Sequence, residues 1–274
     1  MMARALAIAC LAACISPPVR PKCTDARPLD EVNTINPEYA PWLSHDRLTL
    51  LFSASGGVDN TVFVAHRASP SERFGARNQL LDSVNGADRF DSFLSSDGKM
   101  LWYVEGSGNG GGDLYQAPIA ADDSVGTPVQ MFPELGPVLH PTFTSNMLQV
   151  FFAAKPIDTH AIFTAKRSST SVPFEPATSL DAINAGGNDD GPVISRDGET
   201  LYFDSPLLGS DGEQHLGYAT RAHNFADITA LSSVPPVTGG GDSFGSVDDD
   251  GRTVVFDSDR PGGAGGFDIW IACE

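Results

Sequence analysis

The stretch LDEVN, Leu29 to Asn33, stands ahead of the first recognisable structural unit, yet near-copies of it, LDSVN at 81–85 and LDAIN at 180–184, stand between later ones. A connecting piece placed where there is nothing yet to connect implies that the start of the chain completes something at its end. Leu29 precedes Ser44 by 15 residues, Leu180 precedes Ser195 by 15 and Leu81 precedes Ser95 by 14, so the spacing to the next strand end is held as well.

Those strand ends belong to five similar segments. They begin PWLSHDRLTLLFSAS at Pro41, SFLSSDGKMLWYVEG at Ser92, PTFTSNMLQVFFAAK at Pro141, PVISRDGETLYFDSP at Pro192 and GSVDDDGRTVVFDSD at Gly245, at intervals of 51, 49, 51 and 53 residues. Each holds short apolar runs such as LWYV, VFF, LYF and VVF, rich in β-branched and aromatic residues and too short for independent helices. Unbroken apolarity, instead of alternation, predicts strands covered on both faces, as when small sheets stack around an axis. The pairs Asp97-Gly98, Asp197-Gly198 and Asp250-Gly251 fit tight hairpin turns, with Gly at positive φ and Asp accepting turn N–H groups.

The predicted fold is all-β: a five-bladed β-propeller of four-stranded antiparallel blades. LDSVN and LDAIN are assigned to outer strands, and the fifth unit ends at Glu274 without one. LDEVN supplies it, so the N-terminal strand completes the last blade and leaves no open edge.

Composition agrees with this and bounds the function. The 274 residues include 28 Gly and 20 Pro, and 41% are hydrophobic, enough for a sizeable core. A formal charge of -18, spread along the chain, argues against nucleic acid or an acidic membrane surface as partner and for basic partners or cations.

The N-terminus, MMARALAIACLAACIS, carries one Arg, a short apolar run and Cys14 after Leu11-Ala12-Ala13. It resembles a bacterial lipoprotein signal with the lipobox LAAC, which implies cleavage before Cys14 and lipidation there. Ile15, where Asp would suggest retention at the inner membrane, makes the periplasmic side of the outer membrane the expected location under that resemblance. The alternative is an ordinary secretory leader, and either exports the protein. The expected organisation is a signal peptide over 1–13, a tether over 14–24 and the propeller over 25–274. Cys10 departs with the leader, leaving Cys23 and Cys273 near opposite ends of the mature chain. An oxidising compartment permits a disulfide between them across the seam of the last blade.

FDSDRPGGAGGFDIWIA, Phe256 to Ala272, and SRDGETLYFDS, Ser195 to Ser205, resemble the two halves of the repeat of TolB-type, WD-like β-propellers of the bacterial envelope. The likeness covers about Pro37 to Glu274. It departs in blade number, since the TolB propeller has six, and in lacking that family's separate N-terminal domain. What it implies is a binding role without catalysis, toward envelope proteins or peptidoglycan-associated factors.

Catalytic motifs are not seen: there is no HExxH pair, Walker sequence or GxSxG elbow. The Gly-rich loop at Gly106–Asp113 leads into a strand, so no helix N-terminus can receive a phosphate. The expected absence of a cofactor leaves one qualification, calcium. Residues just ahead of each inner strand can converge at one mouth of the channel, and these are Glu38, Asp91, His140, Asp189 with Asp190, and Asp242. Three readings of that group stand: turn-capping acids in an acidic protein, a site for a cation such as calcium or a polar ligand, or a carbohydrate-binding or glycoside-hydrolysing propeller using axial carboxylates.

Overall fold

A computed structural model describes residues 26–55, 59–81, 87–106, 110–155, 158–231, 234, 240–248 and 253–272. After β1 (Arg27–Pro28), the strands fall into consecutive groups. The first blade is β2 (Glu38–Leu43), β3 (Thr49–Ser55), β4 (Asn60–His66) and β5 (Asn78–Gln79). The second is β6 (Asp88–Leu94), β7 (Met100–Gly106), β8 (Gly112–Pro118) and β9 (Val129–Met131). The third is β10 (Leu139–Phe143), β11 (Gln149–Ala154), β12 (Ala161–Lys166) and β13 (Thr178–Ser179). The fourth is β14 (Asp190–Ile194), β15 (Thr200–Ser205), β16 (His215–Thr220) and β17 (Thr229–Ala230). The fifth joins β18 (Asp242–Val247), β19 (Val254–Ser258) and β20 (Asp268–Ala272) to β1.

The expected closure is therefore present. Arg27 pairs with Ile271 and Pro28 with Trp270, and the Leu29 N–H donates to the Ile269 carbonyl at 2.9 Å. LDEVN itself is not the strand but the turn that follows it. The N–H groups of Val32 and Asn33 both return to the Leu29 carbonyl, which buries Leu29 and Val32. The Asn33 side chain then acts as one more strand residue, donating to the Ile269 carbonyl at 2.9 Å and accepting the Ile269 N–H at 2.8 Å. Asn184 of LDAIN does the same to Ile162, at 2.9 and 2.7 Å. The repeated motif is thus a clip on the third strand of a blade. Cys14, Cys23 and Cys273, with residues 82–85 of LDSVN, lie outside the described residues.

The core explains why the apolar runs are unbroken. Neighbouring side chains of one strand point to opposite faces, and each face meets a different blade. Leu50 and Phe52 pack with Leu29, Val255, Ile269 and Ile271 of the fifth blade, whereas Leu51 packs with Leu101 and Tyr103 of the second. Trp102 and Val104 meet Val150 and Phe152; Phe151 and Ile162 meet Leu201 and Phe203; Tyr202 and Leu216 meet Phe256 and Trp270. Five apolar interfaces thus run around the ring, and all of the clustered side chains named are under a tenth exposed.

Two of the Asp-Gly turns take the expected chemistry in a five-residue loop, and the third, Asp250-Gly251, lies outside the described residues. Gly98 sits at φ 67° and Gly198 at φ 75°, while Asp97 and Asp197 accept the N–H groups of Lys99 and Glu199. Ser95 and Ser195 donate to those carboxylates at 2.7 and 2.6 Å, which holds both below the usual aspartate range. Where Gly is missing, Arg47 and Met147 occupy the left-handed position at φ 61° and 59°. A further repeated device locks these loops: Arg67, Arg167 and Arg221 donate Nε to the carbonyls of Arg47, Met147 and Gly198, and stack over Phe74, Phe174 and Phe225. Among the described residues no helix is long and apolar enough to cross a membrane.

Candidate functional site

The inner strands line the axis, and their shape is set by a break in register in every blade, between Tyr39 and Trp42, Phe90 and Phe93, Leu139 and Thr142, Asp190 and Val193, and Phe244 and Ser246. At that break Ala40, Asp91, His140 and Gly191 adopt left-handed φ of 49°, 53°, 48° and 55°. For a residue with a side chain this conformation costs about 1–2 kcal/mol, a strain that concentrates at sites of function.

The break sorts the axis into layers. Tyr39, Phe90, Leu139, Asp190 and Ser243, one from each blade, wall a cavity of about 720 Å³ at the mouth where the inner strands begin. Pro41, Ser92, Pro141, Pro192 and Gly245, with Trp42, Phe93, Thr142, Val193 and Ser246, wall a second of about 590 Å³ toward the opposite mouth. Ala40, Asp91 and His140 border both and form the waist between them.

At the waist the charges are joined. The His140 Nδ1 lies 2.9 Å from the Asp91 Oδ1, and the His140 N–H donates to the Asp91 Oδ2 at 2.6 Å. Its Nε2 faces the Asp190 Oδ1 at 3.7 Å, and the other oxygen of Asp190 meets the His160 Nδ1 at 2.5 Å. Burial opposes charge on His140, but Asp91 and Asp190 outweigh it and carry the imidazole up to about 10, so it is a cation at neutral pH. Burial likewise pushes Asp190 up, and His140 and His160 pull it further down, below the ordinary aspartate range. Asp257 differs. Burial pushes its carboxyl up to about 7, its Oδ1 accepts the Ala40 N–H at 2.9 Å, and among the described residues no Lys, Arg or His lies within ion-pair distance.

Of the six residues singled out from sequence, Asp91, His140 and Asp190 come together on the axis. Glu38, Asp189 and Asp242 do not line either cavity. They occupy one equivalent position, three residues ahead of Pro41, Pro192 and Gly245, and are turned into the protein. Glu38 pairs with Arg77 at 2.6 Å and accepts from Thr34; Asp189 accepts the Gly187 N–H at 3.2 Å; Asp242 pairs with Arg260 at 2.5 Å. Sequence spacing alone merged successive positions of the inner strand, and a step of one residue changes the face a side chain occupies, so Glu38, Asp189 and Asp242 turn away from the channel that the next residues line.

The axial residues that spacing missed include Ser53 and Asp257 on the second strands of their blades, and Lys155 and His160 between β11 and β12. A signal for Asp257 was present, since FDS recurs at Phe203–Ser205 and Phe256–Ser258 one strand in from the axis. No repeat marks His160. Among the described residues no group of three or more His, Cys, Asp or Glu is disposed to hold a metal ion.

These layers define a five-bladed β-propeller closed by its own N-terminal strand, with an axial channel divided at a charged waist. The chain matches no family model and no curated protein sequence. Among solved structures it resembles TolB from Acinetobacter baumannii, at 13% identity and a TM-score of 0.50, covering 87% of this chain and 55% of that one. It also resembles an α-L-arabinofuranosidase from Podospora anserina in complex with cellotriose, at 12% identity and a TM-score of 0.56, covering 90% and 94%. The catalytic domain of a GH62 α-L-arabinofuranosidase from Coprinopsis cinerea gives 11%, 0.55, 93% and 96%. The likeness is one of fold, shared by enzymes and by TolB. This chain spans about half the length of that TolB.

Proposed function

We propose that this protein is a non-catalytic interaction scaffold of the bacterial cell envelope, exported and lipid-anchored through Cys14, which meets its partner at the mouth where the inner strands begin. The observation that carries the non-catalytic part is the position of His140. Glycoside hydrolysis by two carboxyl groups needs open space between them for the sugar and, in the inverting case, a water. Here an imidazolium lies between Asp91 and Asp190, at 2.9 and 3.7 Å, and fills the space that a sugar or water would need between them. The anchor rests on LAAC at Leu11–Cys14, and the partner class, envelope proteins or peptidoglycan-associated factors, rests on the repeat resemblance.

A second reading, glycan binding or cleavage in the same cavity, draws on its lining of amides and aromatics, with Asn60, Asn188 and Gln214 beside Tyr39, Phe90 and Phe267. Assay of the purified protein against aryl arabinofuranosides, aryl xylosides and a glycan array separates the two. The scaffold reading expects no turnover and no glycan retained. Turnover that disappears in Asp190→Asn would establish the hydrolase instead.

A further inference from the structure

We propose that the proline-rich stretch of this chain ahead of β1, SPPVRPK at Ser16–Lys22, docks across the cavity of about 590 Å³ at the mouth where the inner strands end. That stretch lies outside the described residues, and β1 fixes the side of the ring from which it departs. Arg27 pairs with Ile271 near the end of β20, Ala272 pairs with Val254 at the start of β19, and Val254 pairs with Val247 at the end of β18. Residues ahead of Arg27 therefore join the ring on the side of Val247, which lines this cavity. Strands of a sheet lie about 4.8 Å apart, so about 14 Å separates β1 from the inner strand of its blade. Pro17, Pro18 and Pro21 favour a polyproline II helix, in which the ten residues 16–25 span about 31 Å, and about half of that length is left to cross the cavity.

The cavity suits such a chain. In one corner Phe93 and Trp102 hold parallel rings 5.8 Å apart, and Phe143 tilts against them at 6.3 and 5.7 Å. Phe132 stacks on Trp102 at 6.0 Å, which fixes the platform. Trp42, Pro41, Pro141 and Pro192 continue the apolar lining.

The donors on this wall lack acceptors. Trp270 donates its indole N–H to the Ser258 carbonyl at 3.3 Å, whereas those of Trp42 and Trp102 meet no acceptor among the described residues. Trp102 is only 5% exposed, and a buried indole N–H ordinarily has a partner. Gln116, paired with Trp102 across β7 and β8, also lines the cavity, and its side-chain amide has no partner. A proline has no N–H, so a proline-rich chain presents carbonyl acceptors that outnumber its donors. Its carbonyls suit the indole and amide donors, and its rings suit the aromatic faces. The charged groups on the wall away from the waist, His45, Arg196 and Asp248, are of both signs and do not select a charged ligand. Docked in this way, the stretch covers one mouth and leaves the other to the partner.

The test is photo-crosslinking in the full chain with Val19→p-benzoylphenylalanine. The expected product is a crosslink within one molecule to a peptide carrying Trp42, Phe93, Phe143 or Val193, its yield unchanged on dilution. The crosslink should be lost when Pro17→Ser, Pro18→Ser and Pro21→Ser are added. In the triple serine variant without the photolabel, tryptophan emission should shift to the red and acrylamide quenching should increase as Trp42 is uncovered. Synthetic SPPVRPK should reverse both changes there and leave the unsubstituted protein unaltered. All four substitutions precede β1, so the ring keeps its fold in each, as circular dichroism will show. Crosslinks to residues outside the cavity or to a second copy, no crosslink, or emission and quenching unmoved by the serine substitutions overturns the inference. The docking goes beyond the scaffold reading and does not depend on lipidation, and none of these outcomes alters the glycoside and glycan assays.

Discussion

His140 shows how much one side chain decides. It sits in a left-handed conformation, between two carboxylates, at the boundary of two cavities. Its titration makes stability depend on pH with a definite sign. The ordinary value is 6.5 and the folded value about 10, so the fold stabilises the protonated form. That contribution is complete below pH 6.5 and is lost as the pH rises through 10. Asp257, raised from 3.8 to about 7, acts in the same direction at lower pH: complete below 3.8, gone above 7. Asp190 acts oppositely, contributing above 3.8 and losing its effect as the pH falls below that. Thermal unfolding should therefore be highest in mildly acidic buffer and decline toward pH 10. His140→Gln should flatten the limb between 6.5 and 10, and Asp257→Asn the limb between 4 and 7. A melting temperature that climbs from pH 7 to 10 would contradict this account of the waist.

The clip formed by LDEVN lengthens a two-residue outer strand without adding a strand residue. β1 alone offers little pairing, and Asn33 extends it by gripping both the N–H and the carbonyl of Ile269. Each lost hydrogen bond costs about 1 kcal/mol, more where a buried partner is left unsatisfied. Asn33→Ala should therefore destabilise by about 2 kcal/mol in urea unfolding, and Asn184→Ala, which releases Ile162, by a similar amount. An exposed turn without this grip would show changes below about 0.5 kcal/mol. The strained inner-strand residues follow the same logic of elements held from outside. Ala40 keeps its left-handed backbone because Asp257 of the next blade holds its N–H, and His140 because Asp91 holds its own.

Over the whole molecule, the five interfaces between blades close only because the first strand returns to the last sheet. Leu29 and Val32 then join Val255, Ile269 and Ile271 in the interface between the fifth and first blades. Such a ring leaves two mouths for function, and the proposed lipid anchor bears on how they are presented. The leader lies outside the described residues, so the anchor is tested in cells. Cys14→Ser should move the protein from the membrane fraction to the soluble exported fraction, and unchanged sedimentation with membranes would remove lipidation from the proposal. Two acyl chains hold a protein durably where one is marginal, so partial release is not expected.

Blade number, strand order and the closing of the ring were legible in the sequence, because each rests on local chemistry that recurs along the chain. Asp-Gly turns, apolar runs of strand length and the LDxxN clip all recur at nearly constant spacing. The axial site was half legible. Asp91, His140 and Asp190 lie where the channel was expected, but Glu38, Asp189 and Asp242 turn inward to their own partners. Sequence position specifies which strand a residue occupies. Strand alternation, the register break and the charges brought from neighbouring blades specify which way it faces and what it meets. Those are contacts between residues up to 217 apart, such as Ala40 and Asp257, and only the closed tertiary structure sets them.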